Sequence, residues 1–248
     1  MHWDFAVILI FLGVIAPWLS YRRVRRLMQT SMIGSMDRLA LYASTIAFQW
    51  IAVGIIVWRT TAHGIRPSDM GLAISRPGLT TSLSIVLCLL ALVNQIFSIR
   101  RLAAHPSELK ATLPQLVLKI FPQTDVERLV FVALVITVAL CEELIYRGFV
   151  QRLFENASGG IALAGIFISA GFFAVAHLYQ GRRGLVSTFI VGALFAAIRW
   201  WSGSIVPSAC AHFVADLSVG LLAPKKLRAV LESHDKRESE NATQTLHT

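Results

Sequence analysis

Two adjacent glutamates and an arginine stand out in the segment CEELIYR, at residues 141–147. The segment follows directly on residues 129–140, which contain no charged side chain. Charged groups at membrane depth are costly and are usually functional. A carboxylate that is not occupied by a cationic partner can take a proton from water as a general base. The pattern therefore predicts a chemical site at this point of the chain.

The spacing of the charged residues predicts a different role for each glutamate. Adjacent residues on a helix point about 100° apart, so Glu142 and Glu143 cannot face the same partner. Glu143 and Arg147 are four residues apart and share a face, which favours an ion pair that braces the helix. Glu142 is then the carboxylate left to face a cavity. The alternative is that Glu142 is a second member of the same ion-pair network.

His177 is the first candidate partner for Glu142. It ends an apolar run, with Phe173 one turn earlier on the same face. Residues 156–160 predict a tight turn between two antiparallel helices. Glu142 lies about 16 residues before the centre of this turn and His177 about 18 after it, so both are ~25–28 Å from it at about 1.5 Å per residue. We therefore expect one helix to continue from Arg128 to about Phe154 and the hairpin to bring Glu142 to face His177.

His212 and Asp216 form a second pair at helical spacing. They are four residues apart, so one side chain can orient the other through a hydrogen bond. Counted from Ser204, His212 is only two turns into its apolar segment, which is shallow. Gly203 and Pro207 permit an entry loop that dips into the membrane, provided that protein covers it. The simpler alternative for this pair is a polar contact between helices.

The composition places these residues in a membrane protein. The mean hydropathy is +0.63, and only 15% of the residues are charged, against a usual ~25%. The apolar residues fall into blocks of about 20, the length that spans a bilayer. We predict an all-α, polytopic helical membrane protein with about seven transmembrane helices and a membrane-embedded cavity. The predicted spans are Trp3–Ser20, Leu39–Trp58, Leu79–Phe97, Arg128 to about Phe154, Ile161–Tyr179, Leu185–Trp201 and Ser204–Leu222.

The net charge of +9 does not indicate a nucleic-acid partner. The basic residues lie in short loops between apolar segments, where they act as topology signals and favour an outside N-terminus with a cytoplasmic C-terminus. The connection Ser98–Glu127 is too polar to span, and both an amphipathic surface segment and an ordinary loop fit it. The polar residues from Lys225 to Thr248 predict a tail that is irregular beyond its first one or two turns.

The ordered set of motifs resembles the CPBP family of CAAX proteases and bacteriocin-processing membrane proteins, also called Abi proteins, which includes the Ras-converting CAAX endopeptidase. The motifs are Glu-Glu-x-x-x-Arg at 142, 143 and 147, Phe-x-x-x-His at 173 and 177, and His-x-x-x-Asp at 212 and 216, where the family has Asn. The resemblance covers about Val126 to Leu222. It divides the chain into N-terminal transmembrane helices with a connecting loop (1–125), a catalytic core (126–222) and a polar cytoplasmic tail (223–248).

The resemblance also implies catalytic roles. In the family, the first glutamate and the histidine of the second motif are thought to activate water, which assigns Glu142 as general base and gives His177 a share in that role. The later histidine stabilises the oxyanion, which assigns that function to His212. A carboxylate cannot donate a hydrogen bond unless it is protonated, so Asp216 is expected to orient His212 or to keep it cationic. The expected positioning residues are Glu143, Arg147 and Phe173.

The metal dependence of the expected reaction stays open at this point. The family is labelled both metalloprotease and glutamic protease. A zinc ion held by Glu142, His177 and His212 fits the ligands that zinc prefers. The same groups could activate water by general base catalysis without a metal. The expected Glu143–Arg147 pair argues mildly against a metal, because it occupies one carboxylate.

The resemblance implies that the protein is a hydrolase, an intramembrane endopeptidase. Its substrate would be a membrane-embedded peptide or a lipidated protein, for example a prenylated or CAAX-like one. The expected location is the lipid bilayer of a prokaryotic inner membrane. Two alternatives stay open: a catalytically inactive scaffold or immunity protein on the same fold, and a proton-coupled transporter that uses the buried carboxylates as a relay.

Overall fold

The computed structural model of the chain is all-α. Within the residues that it describes, the chain forms eight helices and no β-strand. Six of these helices are long and apolar enough to cross a membrane, and a shorter apolar helix completes the set. The prediction of an all-α polytopic membrane protein is therefore confirmed. The described residues are 2–30, 33–105 and 112–245, with the backbone alone described for 112–113, 228 and 231–245.

All seven predicted apolar segments are helical. The helices are α1 (Trp3–Gln29), α2 (Ser35–Ala62), α3 (Pro77–Ala104), α4 (Thr112–Ile120), α5 (Asp125–Ala157), α6 (Ala162–Ala176), α7 (Gly181–Ser202) and α8 (Val206–Thr245). A short 3₁₀ turn, Leu178–Gln180, joins α6 to α7. With 15 residues, α6 is about 22 Å long, shorter than a hydrocarbon core of about 30 Å. By its length alone, α6 does not cross the whole hydrocarbon core.

The predicted hairpin of α5 and α6 is confirmed. A capping box begins α5, in which the Thr124 hydroxyl accepts a hydrogen bond from the Glu127 amide. The helix then runs to Ala157 and includes one π-helical segment. The connection turns through Gly159 and Gly160, whose φ angles of 73° and 94° lie in the left-handed region that favours glycine. The glutamates thus lie on one helix of an antiparallel pair, and a histidine lies at the end of the other.

A π-helical segment, Leu144–Val150, interrupts α5 immediately after the two glutamates. Such segments are rare, widen the helix by one residue per turn, and are frequent at functional sites. Gly148 in this segment lies against the loop between α2 and α3, because a Cβ there would approach the Met70 carbonyl oxygen to 3.0 Å. Met70 itself is 2% exposed. The loop therefore packs directly on the widened part of α5.

In the turn between α7 and α8, Ser204 and Ile205 are buried, whereas Gly203 is exposed. Gly203 ends α7 with a φ of 76°, and the Ile205 amide donates to the Gly71 carbonyl at 3.0 Å. The start of α8 is only about 9 Å from His212 along the helix. Irregular backbone at such depth is tolerated when protein satisfies its polar groups, and here the loop around Gly71 does so. The geometry supports the entry loop expected from Gly203 and Pro207.

The polar connection between α3 and α5 contains a short helix. Residues 106–111 lie outside the described residues, and α4 follows them. Val117 of α4 packs with Ile99 of α3 and Leu227 of α8. The helix therefore presents an apolar face to the protein, which supports the amphipathic alternative for part of Ser98–Glu127.

The polar tail is more regular than its composition indicates. The α8 helix continues through Thr245, so the prediction of an irregular tail beyond one or two turns is wrong up to that residue. The reason lies at the start of the tail, where Ala223 and Leu227 are buried against α3 and α4. This packing carries the helix past the end of the apolar span. Residues 246–248 lie outside the described residues.

Gly165 lies at a close approach of α6 to α5. A Cβ at this position would lie 2.5 Å from Glu155 Cγ and 2.7 Å from the Gln151 carbonyl oxygen. Because the backbone oxygen cannot move aside unless the helices part, we expect Gly165→Ala to lower the free energy of unfolding by about 1–3 kcal/mol. Unfolding of the purified protein in detergent measures this. Gly171→Ala is the matched control on α6, since nothing lies within 4 Å of its Cβ position. Equal stability of the two variants would contradict the prediction.

Candidate active site

Glu143 and Arg147 form the buried ion pair expected from their spacing. Arg147 Nη1 donates to Glu143 Oε1 at 2.9 Å, and both side chains are fully buried. The guanidinium also lies over the Phe173 ring, 4.1 Å from its centroid, and its Nη2 donates to the Gly192 carbonyl at 3.4 Å. A cation over an aromatic face is held more strongly when it is desolvated. These contacts support the positioning role expected for Phe173.

His212 connects the first and third motifs. Its Nδ1 lies 3.2 Å from Glu143 Oε1, and its Nε2 lies 3.5 Å from Asp216 Oδ2 and 3.9 Å from Glu142 Oε2. The expected contact between His212 and Asp216 is therefore present. Glu143, expected to serve Arg147 alone, also binds the imidazole. Three carboxylates thus surround a ring that is 8% exposed.

Glu142 presents one carboxylate oxygen to the site. Its Oε1 accepts a hydrogen bond from Nε2 of Gln49 on α2 at 3.1 Å. Its Oε2 has no hydrogen-bond partner among the described residues and lies 3.9 Å from His212 Nε2. The side chain is 15% exposed, whereas that of Glu143 is fully buried. The two adjacent glutamates therefore differ in exposure, as expected, although Oε2 of Glu143 also has no hydrogen-bond partner among the described residues. Glu142 is the one whose side chain reaches the partly exposed side of the site.

His177 ends α6 and does not pair with Glu142. Its Nδ1 lies 2.8 Å from the Phe173 carbonyl oxygen, which assigns the proton to this nitrogen and leaves Nε2 as an acceptor. The Phe173 ring contacts both imidazoles, with centroid distances of 4.6 Å to His177 and 6.0 Å to His212. In the described part of the chain, no hydrogen bond or ion pair joins Glu142 to His177. The hairpin places Glu142 and His177 on neighbouring helices. The imidazole that lies within 4 Å of the Glu142 carboxylate is nevertheless that of His212.

Two residues at the site have no motif that indicates them. Gln49 binds Glu142 directly, and its one signal in the sequence is a polar amide in the middle of an apolar span. Tyr179 lies with its ring centroid 5.9 Å from that of His177 and interacts electrostatically with Glu142 and Asp216. No pattern in the sequence distinguishes it from a tyrosine at the membrane interface. Both residues reach the site through the packing of helices.

The site opens at Asp216. Its side chain is 42% exposed, whereas the side chain of His212 is 9% exposed. Asp216 is one turn further along α8 than His212, and it is the most exposed of the three carboxylates that surround the imidazole.

The arrangement of the residues does not favour the zinc site of Glu142, His177 and His212 that the sequence left open. In the part of the chain that the structure describes, no group of three His, Cys, Asp or Glu side chains is arranged to hold a metal ion. His212 directs its ring nitrogens at carboxylates, and the Nδ1 of His177 faces a carbonyl oxygen. The set of Glu142, His177 and His212 is thus not assembled as a ligand set.

The fold and the site together define the class of the protein. It is an integral membrane protein in which carboxylates and imidazoles, the acid–base groups of a hydrolase, are gathered inside a helical bundle. Residues 125–218 match the family model of the Rce1-like proteins, described as type II CAAX prenyl endopeptidase Rce1-like. This match supports the resemblance of this region to the CPBP family, whose members are CAAX-type intramembrane proteases. No curated protein and no solved structure matches the chain.

Proposed function

We propose that this protein is an intramembrane endopeptidase that hydrolyses a peptide bond of a membrane-associated substrate with water activated by Glu142. The observation that carries the proposal is the state of the Glu142 carboxylate. Gln49 holds one oxygen, and the other has no hydrogen-bond partner among the described residues. Such an oxygen can accept a proton from a water beside it. The family match over residues 125–218 supports peptide-bond hydrolysis as the reaction.

The proposed reaction begins with a water between Glu142 and the carbonyl group of the scissile bond. Glu142 accepts a proton from this water while the water oxygen attacks the carbonyl carbon, and the electron pair of the C=O bond moves to the oxygen. His177, with Nε2 as an acceptor, shares in orienting the water. The tetrahedral species then collapses, the C–N bond breaks, and the proton held by Glu142 passes to the leaving nitrogen.

His212 is proposed to stabilise the oxyanion. Its Nε2 faces the opening between Glu142 and Asp216, where an N–H donor can meet the charge that develops on the carbonyl oxygen. Asp216 lies 3.5 Å from the same nitrogen and, as a carboxylate, cannot itself donate to an oxyanion. We assign it the role of orienting the imidazole from the open side. Glu143, at Nδ1, holds the other edge of the ring.

The proposed substrate is a membrane-embedded peptide or a lipidated protein, and the family description favours a prenylated, CAAX-like C-terminus. A site that lies inside a helical bundle and opens near one membrane surface suits a peptide that is anchored in the same bilayer. We propose a prokaryotic inner membrane with the N-terminus outside, because most of the 23 Lys and Arg residues then lie in cytoplasmic loops. In the proposed division, residues 126–222 form the catalytic core, 1–125 support it, and 223–248 form a cytoplasmic tail.

A comparison of membrane peptides in cells that carry the wild type or Glu142→Ala tests the proposal. We expect peptide termini generated by the wild type to be missing from the variant, with the uncleaved substrate accumulating at equal protein levels. Identical peptide sets in the two strains would contradict a protease. If a phenotype of the wild type persisted in that case, a scaffold or immunity role would replace the proposal. Proton-coupled flux in proteoliposomes that Glu142→Ala abolishes would instead indicate a transporter.

A further inference from the structure

Gln49 contacts the proposed catalytic carboxylate from outside the region that matches the family. It lies on α2, 93 residues before Glu142, and its Nε2 is 3.1 Å from Glu142 Oε1. We infer that Gln49 is a positioning residue for the general base, which fixes the Glu142 carboxylate so that Oε2 faces the reacting water. The inference rests on the proposed function, because it concerns the same carboxylate.

The sequence pattern of α2 explains why Gln49 faces the site. Buried residues recur every three or four positions along this helix, and Thr45 and Gln49 fall in the same series, which defines one face. The flanking residues Phe48 and Trp50 are more exposed, at 44% and 49%, although the indole nitrogen of Trp50 still reaches α5. Gln49 is therefore the polar group that α2 turns towards α5 beside Glu142. The buried members of the series are Arg38, Tyr42, Val53, Ile56 and Thr60.

Two contacts that do not involve Glu142 fix the position of α2 on α5. The Arg38 guanidinium forms a two-pronged pair with Glu127, at 3.0 Å from Nε and 2.9 Å from Nη2. Trp50 Nε1 donates to Thr137 Oγ1 at 3.3 Å. Because these contacts hold the helix in register, the Gln49 amide is placed before any substrate arrives. The packing of the two helices brings Gln49 to Glu142, and the hydrogen bond then orients the Glu142 carboxylate.

The chemistry of the contact fixes the orientation of both groups. An amide nitrogen is a donor and an amide oxygen is an acceptor, so only the nitrogen of Gln49 can face a carboxylate favourably. A hydrogen bond to a charged acceptor is roughly twice as strong as one between neutral groups. This bond occupies Oε1 and leaves Oε2 on the side of His212. Without it, the carboxylate can rotate away from the reacting water, while the binding of the peptide is unchanged.

Gln49→Leu tests this inference, because leucine keeps a similar size and removes the donor. We expect kcat to fall by about 10- to 100-fold at an unchanged KM, the effect of losing one hydrogen bond to a charged group. The substrate is the peptide that accumulates in Glu142→Ala membranes, and the enzyme is the full chain in proteoliposomes. Trp50→Phe is the matched control, since it removes a different hydrogen bond between α2 and α5 without touching Glu142. Its kcat is expected to stay close to that of the wild type.

Gln49→Glu distinguishes positioning from packing. When the introduced carboxyl is protonated it can donate to Glu142, and when it is ionised it repels Glu142. We therefore expect the ratio of its kcat to that of the wild type to rise as the pH is lowered, with a flat ratio for Trp50→Phe. This measurement remains informative even if the Gln49→Leu protein does not fold.

The outcomes separate the inference from the proposed function. If no peptide accumulates in Glu142→Ala membranes, the proposed function fails and the inference falls with it. If a peptide accumulates but Gln49→Leu cleaves it at the wild-type rate, only the inference is overturned. A flat pH ratio for Gln49→Glu, or an equal loss of kcat in Gln49→Leu and Trp50→Phe, would overturn it as well, because either result indicates a packing role alone.

Discussion

We expect Glu142→Gln to lower kcat by about 100- to 10,000-fold, the usual contribution of a general base. The amide matches the carboxylate in shape but cannot take a proton from water. The side chain is partly exposed and forms no bond to Arg147, so its neutralisation leaves no buried cation without a partner. The variant should therefore remain folded and inserted. Initial rates of peptide cleavage in proteoliposomes, together with unfolding in detergent, measure both parts of the prediction.

Asp125→Asn serves as the control for Glu142→Gln. Asp125 is a carboxylate on the same helix, but its side chain is 93% exposed and pairs with Arg128 at the helix start. Removing its charge changes the net charge by the same amount and leaves the site untouched. Full cleavage activity in Glu142→Gln, or an equal loss of activity in Asp125→Asn, would exclude Glu142 as the base.

The second large effect is expected from Arg147→Met, which should destabilise the fold by about 3–5 kcal/mol. Methionine removes the guanidinium that neutralises Glu143, and both side chains are fully buried. It also removes the cation over the Phe173 ring and the bond to the Gly192 carbonyl. A buried charge that loses its partner bears its full desolvation cost. The midpoint of unfolding in detergent measures the change.

The double variant Glu143→Gln, Arg147→Met tests the cause of this effect. Removing both charges should recover a large part of the lost stability, because no uncompensated ion is then buried. Arg128→Met is the control, since its pair with Asp125 is exposed and exposed pairs contribute little. A double variant less stable than Arg147→Met, or wild-type stability in Arg147→Met, would contradict the assigned role of the pair.

We thus expect substitutions at the two adjacent glutamates to affect different properties of the protein. Glu142 is the more exposed of the two and lies beside Nε2 of His212, so its loss should appear in kcat. Glu143 is hydrogen-bonded to both Arg147 and His212, and removing one of these partners should lower the free energy of unfolding. One residue of separation produces this difference, because neighbouring helical positions face directions about 100° apart.

The parts of the site that the sequence determined are those set by one helix. Glu143 with Arg147 and His212 with Asp216 are four residues apart, and helical geometry alone brings each pair together. The continuous α5 and its hairpin with α6 also follow from local signals, the apolar run and the glycines at the turn. Long apolar segments likewise fix the all-α membrane fold, since helices satisfy their own backbone groups in lipid.

Only the tertiary structure decided which helices face one another and in what rotation. The Gln49–Glu142 and Glu143–His212 contacts join residues 93 and 69 positions apart. His177 ends the neighbouring helix of the hairpin but forms no hydrogen bond or ion pair with Glu142 in the described part of the chain, and its Nδ1 lies instead against the Phe173 carbonyl oxygen. In a bilayer, lipid is as apolar as the helix faces, so helix rotation depends on close packing and polar contacts between distant residues. The sequence of one helix does not specify these contacts with distant helices. The sequence therefore indicated which residues could do chemistry, whereas the tertiary structure decided how they are arranged.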